Sequence, residues 1–178
     1  MVGDAGVGPH PGPAFRRAVA FLIDVIEGGG QLIEDSGGLT RWGISQKAYP
    51  SIDIKRLARA DAIAIYANDY WEKVSGDELP PPLALCVFDG AVNHGVSTAV
   101  DALQESLRGL ERDGIVGPAT LAAARRTGPE TIVRYLERRL ERYESLCRKV
   151  PSHLPSLKGW RSRIVRVAME AARWEAAA

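Results

Sequence analysis

The chain is poor in cysteine, poor in histidine and free of long apolar runs. Its two cysteines, Cys86 and Cys147, stand 61 positions apart, so no disulfide framework is expected and a reduced site of synthesis fits best. No apolar stretch approaches the roughly 20 residues needed to span a bilayer. The longest, Ala18 to Ile23 with Val25 and Ile26, is broken by Asp24 and preceded by Arg16 and Arg17. No small-residue cleavage site follows it, so neither a signal peptide nor stable membrane insertion is expected. His94 has no second histidine or cysteine at ligand spacing, and His10 and His153 lie in proline-rich loops. No metal and no cofactor are therefore implied. An internal repeat is also missing.

Net charge is nearly absent as well, at +1 over 178 residues, but the balance hides an asymmetry. Residues 1–105 carry 8 Lys/Arg and 14 Asp/Glu, a net of −6, whereas residues 106–178 carry 15 and 8, a net of +7. Such a basic half can steer a protein towards an anionic polymer, and it is equally the signature of solvated helices rich in arginine and glutamate. No nucleic-acid partner is expected. With 46% hydrophobic and 25% charged residues the composition is that of an ordinary globular protein, long enough to bury a core.

What is present in abundance is glycine, and it concentrates in residues 27–44, EGGGQLIEDSGGLTRWGI. Glu27, Asp35 and Thr40 are separated there by Gly28-Gly29 and Gly37-Gly38, pairs that allow the backbone to turn back on itself. Three polar groups distant in extension can then meet around a proton donor, a counter-charge and a water, the outline of a hydrolase site.

Around this stretch the pattern is mostly helical. Pro13 suits a first turn, and Phe15, Ala18 or Val19, Leu22 and Ile26 recur at helical spacing, delivering Glu27 at the helix end with Gly28 as a left-handed cap. Residues 31–34 and 39–42 read as two short strands joined at Asp35-Ser36-Gly37-Gly38. Ser45 is expected to cap a short helix that stops by Tyr49, before Pro50. A longer helix over about Ala58 to Val74 carries Tyr66, Tyr70 and Trp71. The proline run 80–82 seeds LALCVFDGAVNHG, apolar on all sides and so central, and Ser97 is expected to cap the next helix, to about Leu107. The glycine turn 113–118 opens a helix ending near Arg126; Pro129 starts a long one with Ile132, Leu136, Leu140, Tyr143 and Cys147 on one stripe. A last helix, about Leu157 to Glu175, stacks Trp160, Ile164, Val167, Ala171 and Trp174. The expected fold is mainly α, a bundle of about seven to nine helices with one small β-hairpin and two lobes around a cleft. Residues 1–12 are expected to be poorly ordered, 13–80 to form the active-site lobe and 81–178 a helical lobe of one domain.

The spacing EGG-x5-D-x-GG-x-T-x-x-GI, followed by the Tyr-x3-Tyr-Trp cluster, by FDGAVNHG at 88–95 and by DGIVGPAT at 113–120, resembles the lysozyme-like endolysins of glycoside hydrolase family 108. The likeness runs from about Ala14 to Trp174. It implies an α+β lysozyme-like fold and an N-acetylmuramidase, mostly of phage or prophage origin, with a peptidoglycan-binding region in its second half. Phage lysozymes more widely set a Glu, an Asp and a Thr in this order around a hairpin. Carried over, Glu27 is the acid, Asp35 the second carboxylate and Thr40 the hydroxyl that positions water. Gly30 is an additional glycine relative to that pattern.

Arg41 and Trp42, beside the expected cleft, are candidates for sugar contact by hydrogen bonding and stacking, with Trp42 equally readable as core. Tyr66 and Tyr70 are candidates for a substrate platform or for packing, and Asn93 for binding an N-acetyl group or for capping its helix. DGIVGPAT reads as a turn needed by the fold, and the terminal helix with its two tryptophans as core. The expected reaction is hydrolysis of the β-1,4 bond between N-acetylmuramic acid and N-acetylglucosamine by a monomer acting on peptidoglycan strands. A lytic transglycosylase and a non-catalytic wall-binding or secretion-helper protein are the rivals. Synthesis in a host cytoplasm without a signal, and action on a periplasmic wall, would require a holin to open the membrane before lysis.

Overall fold

A computed structural model describes residues 12–35 and 38–177. The expected disorder of the N-terminal segment falls almost wholly on residues 1–11, which lie outside the described residues, as do Ser36 and Gly37 of the hairpin turn.

The molecule is assembled around α3 (Pro81–His94), whose residues Pro82 through Ala91 are all buried. A helix apolar on every side has no solvent face, so other helices must surround it. α1 (Pro13–Phe21), α4 (Val96–Leu107), α6 (Pro129–Lys149) and α7 (Leu154–Glu175) do so. Phe88 anchors one side, with the rings of Phe15, Trp71 and Tyr66 about it at 5.4 to 6.1 Å and steep angles. Edge-on aromatic contacts of this kind add about 0.5–1.5 kcal/mol each beyond the area they bury. α7 is tied to α1 by Glu170, which accepts from Arg17, Arg173 and Trp174 Nε1. Although burial alone would raise it, those donors hold the Glu170 carboxyl below its usual range.

The expected helix over 58–74 is continuous but changes pitch twice. α2 (Arg59–Tyr66) passes into a wider π turn (Ala67–Trp71) and a tight 3-10 turn (Glu72–Val74). Asp61 accepts the Ala58 N–H at its start. α5 (Pro118–Ala124) follows the DGIVGPAT turn. Buried Gln104 binds that turn through Asp113, the Ile115 carbonyl, Thr120 and the Gly114 N–H, a purely structural use of the motif.

Four local expectations need correction. The hairpin is a three-stranded antiparallel sheet, β1 (Ile33–Asp35), β2 (Gly38–Arg41) and β3 (Ile44–Ser45), with Thr40 paired to Ile33 on one side and Ser45 on the other. Ser45 therefore lies in a strand, and its hydroxyl accepts the Ala48 N–H across a turn instead of capping a helix. Gly95, with φ of 90°, takes the cap position of α4 that Ser97 was expected to fill. α7 also starts earlier than its apolar stripe suggests, because a proline fits its first turn.

Candidate active site

Glu27 is placed by a change of helical pitch. After α1 the backbone widens into a π turn over Leu22–Ile26, closed by the Glu27 N–H on the Leu22 carbonyl at 2.9 Å. A π turn spends an extra residue per turn, which re-aims every side chain beyond it, and such turns gather at functional sites. Gly28, Gly29 and Gly30 then hold φ of 73–74°, and the Gly29 N–H closes the helix end on the Ile23 carbonyl. Only glycine adopts three such values in succession without strain.

One wall of the site is uncharged and steric. Gly43, at φ 80°, follows β2 so closely that a Cβ there would stand 2.4 Å from the Tyr66 hydroxyl and 2.7 Å from Glu27 Cγ. Tyr66 is fully buried and donates to the Trp42 carbonyl at 2.9 Å. Burial, and then the charge of Glu27, push its phenol well above the usual value, so it remains a donor. Tyr66 thus backs Glu27 from inside and offers no surface to a sugar, a correction to its expected substrate contact.

The opposite wall is charged. Arg163 of α7 donates Nη1 to Glu27 at 2.8 Å and Nε to Asp89 at 2.9 Å. Asp89, 1% exposed, also accepts Arg139 Nη2 at 2.7 Å. Arg139 reaches on to the Tyr143 hydroxyl, which donates to Asn93 at 2.5 Å. Burial alone would lower both guanidinium values, but the facing carboxylates outweigh it and raise them, so both stay cationic. Two carboxylates and two guanidiniums alternate, which is what makes so many buried charges tolerable. His94 sits beside them with its imidazole pushed down to about 3, by burial first and then by Arg139 and Arg142.

The structure brings Glu27, Trp42 and Tyr66 together through the Gly43 turn. Thr40 lies half-buried in β2. Asp35 ends β1 paired to Gly38, and its side chain lies outside the described residues. Trp42, at φ 57°, presses its ring on Gly30, where a Cβ would stand 2.1 Å away, and donates Nε1 to the Leu57 carbonyl. Arg41 donates to the Gly30 and Lys55 carbonyls. Both therefore fasten the glycine loop to the sheet, and the additional glycine is the seat of the indole. Tyr70 is half-buried, its hydroxyl accepting from Tyr49. Asn93 meets the charged wall through Tyr143, 50 positions away.

Sequence reasoning missed Asp89, Arg139 and Arg163. Asp89 had a readable signal: a carboxylate inside an otherwise apolar helix must find a cation. The two arginines had none, because in amphipathic helices they look like any solvated charge.

Comparison with known proteins divides the chain in two. Residues 22–95 match the sequence model of glycosyl hydrolase 108, and residues 98–165 that of a predicted peptidoglycan domain. The two matches meet at the corner between α3 and α4, so the charged wall is built from both. The first part of the chain is thus similar to the glycosyl hydrolase 108 family, the second to a predicted peptidoglycan domain, and the fold is lysozyme-like α+β. Among solved structures it is similar to Brucella abortus SagA, with 29% identity over 89% of this chain and 94% of that one and a TM-score of 0.76. No curated protein matches.

Proposed function

We propose that the chain is an N-acetylmuramidase that hydrolyses the β-1,4 bond between N-acetylmuramic acid and N-acetylglucosamine, with Glu27 as the acid. The observation that carries this is a single carboxylate, one-fifth exposed, wedged between the Gly43–Tyr66 wall and the Arg163 guanidinium. A general acid needs a fixed direction more than it needs strength, and both walls supply it.

In this reading Glu27 gives its proton to the O4 of the leaving N-acetylglucosamine as the C1–O4 bond breaks. A water held by Thr40 supplies the oxygen that ends on C1, and Asp35 either takes the water's proton or first bonds the anomeric carbon. Carboxyl groups about 5–5.5 Å apart give retention and about 6.5–9.5 Å give inversion, so NMR of the first-formed anomer distinguishes the two routes. Mass spectrometry of digested muropeptides tests the proposal itself: reducing muramic ends support hydrolysis, and anhydro ends would assign a lytic transglycosylase instead. The resemblance to phage endolysins supports host lysis after holin opening as the cellular setting. Co-expression with and without a holin, read as culture clearing, tests that part.

A further inference from the structure

Beside Arg163, which bonds Glu27, a cavity of about 360 Å³ opens between the π turn and α7. Ile26, Asn93, Trp160, Arg163 and Arg166 line it, and among the described residues no carboxylate does. Its chemistry is distinct from that of the charged wall behind it. Trp160 lines the cavity with its indole held in place, stacked on Tyr143 at 4.9 Å and 22° and touched by His153 at 5.9 Å and 47°. Tyr143 is in turn held by Asn93 and Arg139, so the indole is pre-organised. Arg166 is exposed and, among the described residues, spends only Nη1, on the Val25 carbonyl at 3.2 Å, leaving its other donors uncommitted there. Arg163 Nη2, a buried atom, also has no partner among the described residues.

A fixed indole beside an uncommitted guanidinium, without any acid, fits a ligand that offers both a planar amide or sugar face and a carboxylate. In a peptidoglycan strand only the muramyl residue has this combination, through the peptide on its lactyl ether. We propose that this cavity receives the carboxylate-bearing peptide stem of the muramyl residue next to the cut bond, with Arg166 as its anion contact and Trp160 as its aromatic contact. The inference rests on the muramidase reading and adds a specificity to it: strands that keep their stems are the preferred substrate.

The test compares kcat/KM on strands with stems and on the same strands stripped of them by an amidase. The wild-type protein prefers the first, and R166A lowers that preference about tenfold, the scale of one lost charge-assisted hydrogen bond. R166K, which keeps the charge, retains most of it. A preference unchanged in R166A, or absent in the wild type, overturns the proposal. Cleavage of neither substrate would instead sink the muramidase reading. Calorimetry with the E27Q protein then still decides the cavity. A soluble disaccharide-peptide that binds more tightly than the bare disaccharide, with the difference lost in E27Q/R166A, supports the proposal, and equal binding refutes it.

Discussion

The two walls that hold Glu27 work by different physics. On the sheet side, contact is made by a glycine too close to accept a methyl group and by a phenol that never faces solvent. On the helical side, contact is made by charge, in a chain from Glu27 through Arg163 to Asp89 and Arg139. The first wall fixes where the carboxylate can be, and the second what it faces. Steric walls fail through shape and charged walls through unpaired charge, so the two should break differently.

The largest expected effect is on the charged side. D89N leaves Arg139, 0% exposed, and Arg163 without their shared counter-charge, which should cost about 3–5 kcal/mol in denaturant unfolding. If this cost is under 1 kcal/mol, the buried network does not hold α3, α6 and α7 together. On the steric side, G43A demands φ of 80° from a residue with a side chain and drives it into Tyr66 and Glu27. We expect a loss of about 2 kcal/mol and a kcat roughly a hundredfold lower, seen in the same preparation by melting and by wall clearing.

A smaller effect reports the depth of the charged side. His94 titrates near 3 when folded against 6.5 unfolded, so the unfolded chain binds the extra proton and stability falls as pH drops from about 6.5 towards 3. Between pH 6.5 and 5 this should remove roughly 1.5 kcal/mol, and H94F should flatten that slope. Glu170, with its carboxyl held low, contributes stability that is lost only at more acid pH, below about 4.5. The smallest expected change is in R163K, where a point charge replaces a fork that serves two carboxylates. Its kcat should fall about tenfold with little change in melting, because direction is lost while charge is kept.

Glu27 and the glycine loop after it were legible in the sequence, whereas Gly43 of the steric wall and the whole charged wall were not. Glycines in pairs and a carboxylate after an apolar helix are local signals, and they led to Glu27, the left-handed Gly28 and the sheet. The π turn that re-aims Glu27 leaves no trace in apolar spacing, since Leu22, Ile23 and Ile26 fit an α-helix equally well. Arg163 lies 136 positions from Glu27 and Arg139 lies 50 from Asp89, and such pairings are set only by how α3, α6 and α7 pack. Tyr66 and Trp42 were left open between cleft and core, because aromatics near an acid suit sugars and also pack; their hydrogen bonds to backbone carbonyls show the packing use. Ser45 misled because a serine before a polar run signals a cap as readily as a strand end.

The most direct measurement is the rate at which the E27Q protein clears a peptidoglycan suspension, alongside its circular dichroism. The amide keeps the shape of the side chain and can still accept from Arg163, so the fold should persist while clearing falls by about a hundredfold to ten-thousandfold. A folded E27Q protein that clears walls at the native rate would contradict the account, because the carboxylate between the two walls would then not be the acid.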